Sequence, residues 1–355
     1  MNRPYCQNGG LTILGMRGHE DLARRLASRV VELGENSRRN STPVDVVIPK
    51  LGYFESCEPM VRHTSDHIAG HDVMIITSGP GTPEMLTDTL NILGTVARRR
   101  PTRIILFTPY FPLGRSDVER TDELHMPAIL VEAWKAVGKV GDTPLLNRVV
   151  CVDPHSESIL ATGGGGFVTP IRMTKKLLLQ ILQYALEITD KVVISFPDSS
   201  SKKRFKDAIP EVEALLGRTF PIIFASANRD AKKKVIENVY GDVESIEGSL
   251  VIEIDDETQS LGTLDDVAHM LRRRGAATVW AAVTHCALCG KGPQRLMAEE
   301  CGIECLFVMD TIDPYSRPDL QLPLESGRLR VISWFEEYAE VIYRAHWNLD
   351  IRALR

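Results

Sequence analysis

The chain has 355 residues, with 42 Lys+Arg against 47 Asp+Glu, a formal net charge of −5, and 25% charged and 43% hydrophobic residues. This is ordinary globular composition, and it excludes a disordered chain, a collagen-like repeat and a strongly basic nucleic-acid binder. The length suits two domains of about 100–200 residues each. No apolar run approaches the ~20 residues of a membrane helix, and the first 15 residues lack the basic-then-apolar order of a secretory signal. The 7 cysteines are too few for a disulfide scaffold in a chain this long, so a reducing cytoplasm is the expected location.

Short apolar runs alternate with amphipathic stretches along the chain. Residues 11–14 are predicted as a strand. Residues 17–33 are predicted as a helix with Leu22, Leu26, Val30 and Leu33 on one face. The β-branched-rich runs 44–48, 73–77, 104–108 and 149–152 have strand length, and 82–99 and 127–137 have helical spacing. The pattern then restarts, with strands expected at 192–196, 221–224, 250–254, 278–284 and 305–309. Helices are expected at 202–216, 264–274 and 292–300. Such alternation predicts an α/β fold of mainly parallel sheets flanked by helices, with about five strands in each of two units. Four glycines at 163–166 cannot sit inside a stable helix or strand and mark the expected boundary. The expected domains are therefore 1–166 and 167–330. The aromatic-rich segment 331–355 is expected to be helical and to pack back on the body or on a neighbouring subunit.

The window LVIEIDDETQSLGT, residues 250–263, carries the clearest chemistry. An apolar strand is expected to end in Asp255 and Asp256, and a short polar loop then closes on Gly262 and Thr263 before a helix. Two adjacent carboxylates at a strand end can accept hydrogen bonds from vicinal ribose hydroxyls. The loop N–H groups and the Ser260 and Thr263 hydroxyls stand at a helix N-terminus, which favours phosphate. An acidic turn that merely caps a helix would read the same way in this window alone.

This window resembles the phosphoribosyl pyrophosphate binding signature, and the rest of the chain selects the ribose-phosphate diphosphokinase (phosphoribosyl pyrophosphate synthetase) family. The resemblance runs from about residue 12 to residue 314. FESCE (54–58) looks like the family's Phe-x-Asp-Gly-Glu segment, which reaches the adenine of ATP bound mainly by a neighbouring subunit; Phe54 and Glu58 match, and Ser56 and Cys57 replace the Asp and Gly. PYFPLGRSD (109–117) looks like the ATP loop, with Arg115 at the phosphate-contacting Arg, Ser116 in place of Gln, and Asp117 matching. DPH (153–155) resembles the Asp-Leu-His in which the His, here His155, binds Mg²⁺ at the ATP phosphates. FPDSSSKKR (196–204) resembles the pyrophosphate loop, with Asp198 at the second magnesium site and Ser199, Ser200 and Ser201 in the loop. Gly241-Asp242-Val243 and Thr284-His285 are also in place.

The departures are as informative. Ser226 or Ala227 stands where the family's catalytic loop carries Lys; Arg229 is kept, and Lys232, Lys233 and Lys234 come after it. Gln259 replaces an Asp of the phosphate loop, and Ser200 and Ser201 replace two glycines. The resemblance implies two Rossmann-like phosphoribosyltransferase-type domains and a homodimer or homohexamer. It also implies a Mg²⁺-dependent transfer of the β,γ-pyrophosphate of ATP to the anomeric hydroxyl of a ribose 5-phosphate unit, with AMP released. Arg115, Arg229 and Lys232 would carry the transferred charge, and Phe54, Glu58, Arg115, Ser116, Asp117 and His155 would hold ATP. Asp198, Asp255, Asp256, Gln259, Ser260, Leu261, Gly262 and Thr263 would hold the ribose phosphate, and His155 and Asp198 the metal. The departures leave three other readings: a larger acceptor such as ADP-ribose, a non-catalytic partner of active synthetase subunits, and a phosphoribosyltransferase, which leaves the ATP landmarks unexplained. No nucleic acid or membrane partner is expected.

Two weaker patterns remain. His63, His67 and His71 are four apart and could line one helix face. Cys286, Cys289, Cys301 and Cys305 have loose zinc-like spacing, with buried free thiols the plainer account. The arginine runs 98–100 and 272–274 suit helix C-termini, and Lys202, Lys203 and Arg204 come after a loop expected to face phosphate.

Overall fold

The computed structural model describes residues 6–37, 43–62, 67–117, 124–197, 204–230 and 233–351. The chain forms two compact α/β units, Met1–Arg172 with Trp334–Arg355, and Met173–Ser333.

In the first unit the strands are β1 (Leu11–Gly15), β2 (Val44–Val47), β3 (Lys50–Tyr53), β4 (Pro59–Arg62), β5 (Asp72–Ile76), β6 (Arg103–Phe107), β7 (Lys139–Val140), β8 (Thr143–Pro144), β9 (Leu146–Val152) and β10 (Val168–Ile171). Six of them make a parallel sheet in the order β10-β9-β6-β5-β1-β2, while β3–β4 and β7–β8 are two-stranded antiparallel ribbons. Every residue of β1 and β5 is buried. This is why these strands read as continuous apolar runs: helices cover both faces of a parallel sheet. Helix Pro83–Arg98 starts where Thr82 accepts the Met85 N–H at 3.2 Å, with Pro at its first turn.

The glycine run lies inside this unit, not at its edge. Gly163, Gly164 and Gly166 have φ of 74°, 94° and 81°. They form a turn that returns the chain into β10, which pairs with β9. The C-terminal segment is strand before it is helix. β17 (Leu329–Ile332) belongs to the second sheet, and helix Phe335–His346 belongs to the first unit. There Arg25 stacks on Phe335, and Arg29 pairs with Glu336 at 2.8 Å. The helix buries Tyr338, Ala339, Val341 and Ile342, with each large side chain contributing roughly 1.5–3 kcal/mol. Its last residue, His346, bonds Asp72 Oδ2 through Nδ1 (3.0 Å), and Arg103 Nε donates to Asp72 Oδ1 at 2.8 Å. Residues 67–71 are a turn leading into β5, so the histidine pattern does not define a helix face. His71 bonds Thr12 Oγ1 at 2.9 Å, and His63 lies outside the described residues.

In the second unit β11 (Val192–Phe196), β12 (Ile222–Asp230), β13 (Lys233–Gly241), β14 (Leu250–Thr258), β15 (Thr278–Cys286), β16 (Cys305–Met309) and β17 form a sheet in the order β13-β12-β11-β14-β15-β16-β17. All pairs are parallel except β12–β13. The helices include Thr174–Leu186, Ala208–Leu216, Gly262–Arg273 and Gly292–Met297. Leu264, Val267 and Leu271 of helix Gly262–Arg273 join Val251, Val279 and Val283 in the core. Among the described residues no helix is long and apolar enough to cross a membrane.

Candidate functional site

β14 is flanked by β11 and β15, and the chain leaves β11 first toward β12 on one side and then reaches β14 on the other. That reversal is a topological switch point, where open α/β sheets bind ligands beyond the carboxyl ends of their strands. Asp255 and Asp256 stand at this end of β14. The strand does not stop at them. Its ladder with β15 continues, pairing Glu257 with His285 and Thr258 with Cys286. Asp256 is 4% exposed, its N–H donates to Asp255 Oδ1 at 2.9 Å, and Arg204 pairs with Asp256 and lies 3.5 Å from Asp255 Oδ1. Arg204 therefore balances the carboxylate pair. Its place after the serine run marked it as a functional candidate in the sequence, facing phosphate; the structure pairs it with the carboxylates instead.

The loop after β14 is short: Gln259, Ser260 and Leu261 separate it from helix Gly262–Arg273. Ser260 is exposed and Gln259 and Thr263 half-buried. Leu261 is 1% exposed and packed in the core, so it offers a ligand only its backbone. Its φ is 62°, a left-handed conformation that costs roughly 1–2 kcal/mol for a side chain of this kind. Gln259 O accepts the Cys289 N–H at 2.6 Å, which anchors the loop to the segment after β15. Thr284 and His285 form a buried network, His285 Nδ1 at 2.9 Å from Thr311 Oγ1, which donates to Thr284 O at 2.8 Å.

Sequence reasoning missed one group here. Glu253, two residues before Asp255 and on the same face of β14, is fully buried, and both its carboxylate oxygens lack a hydrogen bond. Burial first, then the charges of Asp255 and Asp265, push this carboxyl well above the usual glutamate range.

The segment expected to be the catalytic loop is an antiparallel ribbon, β12–β13, with Arg229 opposite Lys234 and a register shift between Ser226 and Ala227. The bulge thus falls where the resemblance places the lost lysine. Lys232, Asp198, Ser199, Ser200, Ser201, Lys202 and Lys203 lie outside the described residues.

In the first unit, residues 109–117 come after β6 and residues 153–155 after β9, its parallel neighbour. Val152 N–H donates to Pro109 O at 2.9 Å, and a methyl group on Gly114 would lie 3.7 Å from the His155 Cβ. The two motifs are therefore adjacent, with Arg115 exposed and His155, Ser116 and Asp117 half-buried. Ser158 Oγ donates to Asp117 O at 3.3 Å. Phe54 and Glu58 are exposed at the tip of the β3–β4 ribbon, where Phe54 N–H donates to Glu58 O at 2.9 Å. A cavity of about 220 Å³ lies at the ends of β1 and β5, where Arg17 is held by Glu84 (3.2 Å) and Asp88 (3.1 Å).

Backbone strain marks the same motifs. Of the six non-glycine residues with positive φ among those described, four are Cys57, Leu113, Asp153 and Leu261, one each in FESCE, PYFPLGRSD, DPH and the 250–263 window. Such conformations persist where the surrounding structure over-determines them, commonly at ligand sites. The cysteines are free thiols, and burial pushes Cys286 and Cys305 up to about 12, far from a metal-binding thiolate.

Comparison with known proteins agrees with this geometry. A family model described as a phosphoribosyl synthetase-associated domain matches residues 207–351. The ribose-phosphate pyrophosphokinase of Nitrosomonas europaea is 27% identical over 263 residues, covering 74% of this chain and 77% of that protein. Ribose-phosphate pyrophosphokinase 1 of Listeria monocytogenes is 25% identical over 350 residues, covering 97% and 96%. The crystal structure of phosphoribosylpyrophosphate synthetase from Mycobacterium smegmatis superposes with a TM-score of 0.73 at 25% identity, covering 96% of this chain and 99% of that one.

Proposed function

We propose that the chain is a divergent member of the ribose-phosphate diphosphokinase family, to which its relatives belong, and that it transfers the β,γ-pyrophosphate of ATP to the anomeric hydroxyl of a ribose 5-phosphate unit. The observation that carries this reading is the Asp255–Asp256 pair at the carboxyl end of β14, three residues from a loop that opens a helix at the sheet's switch point. Asp255 and Asp256 accept hydrogen bonds from the two vicinal ring hydroxyls, with Arg204 balancing their charge. The N–H groups of the 259–263 loop and the Ser260 and Thr263 hydroxyls hold the 5-phosphate.

In the first unit Arg115 and His155 suit the triphosphate, and Phe54 and Glu58 suit the base. His155, just past the end of β9, would hold a Mg²⁺ that keeps most of its water and phosphate ligands, with Asp198 as the second expected ligand. When bound, that ion neutralises charge on the ATP phosphates. The anomeric oxygen attacks the β-phosphorus, the bond from that phosphorus to the α–β bridging oxygen breaks, AMP leaves, and the hydroxyl proton passes to solvent. The protein's work is alignment and charge neutralisation, with Arg115 and Arg229 as the cations and Lys232 supporting them.

The test is AMP release from ATP and Mg²⁺ with ribose 5-phosphate and, separately, with ADP-ribose. Acceptor-dependent AMP is expected. ATP binding without AMP from either acceptor would refute the transfer and favour a non-catalytic partner of synthetase subunits, the reading that Ser226 and Ala227 at the bulge also support.

A further inference from the structure

Arg295 lies on helix Gly292–Met297, and its guanidinium rests against Gly262, the first residue of the helix after the loop. A methyl group on Gly262 would be 2.7 Å from Arg295 Nη1, 3.8 Å from its Cζ and 3.5 Å from Ser260 Oγ. In the arrangement observed, the guanidinium occupies the space a side chain at 262 would take. Among the described residues this guanidinium has neither a hydrogen bond nor an ion pair. Its charge stands at the first turn of a 12-residue helix, a turn that also carries the carboxylate of Asp265. An anion held between the guanidinium and the helix N-terminus would be stabilised by both.

The loop and its hydroxyls already account for one monophosphate. Arg295 also lines a groove of about 470 Å³ between helices Gly262–Arg273 and Gly292–Met297. Lys291 and His269 line it with Arg295, as do the carboxylates of Asp265, Asp266 and Glu300.

We propose that Arg295, with Lys291, forms a second phosphate subsite beside the loop, so that the acceptor is a ribose whose 5-phosphate carries a further phosphate, as in a nucleoside diphosphate ribose. The inference rests on reading residues 259–263 as the 5-phosphate loop. The groove takes the outer phosphate and the sugar attached to it, and its carboxylates can accept hydrogen bonds from the hydroxyls of that distal sugar.

Calorimetric titration of the full chain without ATP tests this, with ribose 5-phosphate and ADP-ribose as probes and R295M, R295K and K291M as variants. The wild-type chain should bind ADP-ribose more tightly. R295M should weaken ADP-ribose binding by about tenfold more than ribose 5-phosphate binding, the loss expected for a charge-assisted hydrogen bond. K291M should shift the same ratio by less, and R295K should restore part of it. R295K and K291M read the ratio if R295M does not fold. Equal weakening of both probes, or no change in either, would overturn the subsite, and so would failure of the wild-type chain to bind either probe, which would remove the loop reading too. An ADP-ribose-selective loss in R295M without any AMP release would uphold the subsite and refute the transfer.

Discussion

Replacing Glu253 with Leu should stabilise the protein. The side chain sits in the middle of β14, between Ser195 of β11 and Ala281 of β15, fully buried and with both oxygens unsatisfied. A buried polar group without a partner costs roughly 1–3 kcal/mol, and an apolar side chain of similar length removes that cost. For a unit of this size each kcal/mol moves the melting temperature by about 2–4 °C, so E253L should melt roughly 2–12 °C higher. The pH dependence has a definite sign. Because the native carboxyl titrates well above the ordinary glutamate range, folding takes up a proton. Below the ordinary range both states are protonated and ionisation costs nothing. As pH rises from there toward the native value the wild-type chain loses stability, and the gap to E253L widens. E253Q keeps the unsatisfied polar atoms but cannot ionise, so it should recover the pH-dependent part alone. Thermal unfolding tracked by circular dichroism at about pH 5 and about pH 8 reads all three. An E253L variant less stable than wild type, or a gap that widens toward acid, would refute the reasoning.

Asp72→Ala removes the buried carboxylate shared by Arg103 and His346 and should cost roughly 3–5 kcal/mol, measured by urea unfolding. An unchanged midpoint would mean that this cluster does not hold the C-terminal helix. Asp255→Asn and Asp256→Asn should each raise the acceptor KM by roughly 10–100-fold while the ATP KM moves little, since each removes a charged hydrogen bond to the sugar; steady-state kinetics with each substrate varied separates the two. Arg229→Ala should lower kcat by roughly 10²–10³-fold, and alanine variants of Lys232, Lys233 and Lys234 should show which lysine supports it. Unchanged turnover in all four would exclude a cation supplied by this ribbon.

Much of the architecture was legible because buried parallel strands must be apolar over their whole length. The runs at 192–196 and 305–309 coincide with β11 and β16 for this reason. Where hydrogen-bond ladders rather than side chains decide the structure, the pattern was silent. β14 runs through Asp255, Asp256 and Glu257 because β15 continues beside it. The ribbon β12–β13 is polar along FASANR and KKK and carries little alternation. Helix Thr174–Leu186 buries Leu177, Leu178, Ile181, Leu182 and Ala185, a three-and-four spacing that the sequence carries plainly. The site was legible as motifs but not as charge balance. Neither the pairing of Arg204 with the two aspartates nor the placement of Arg295 against Gly262 can be read from spacing, because each joins residues far apart in the chain.

Phosphorus-31 NMR of the reaction with ATP, Mg²⁺ and an acceptor tests the central claim most directly. Transfer of the diphosphoryl group predicts AMP and a new diphosphate ester on the anomeric oxygen in equal amounts, with the former β-phosphorus bonded to the sugar. ADP with a single phosphate on the acceptor, or ATP left intact beside either acceptor, would contradict it.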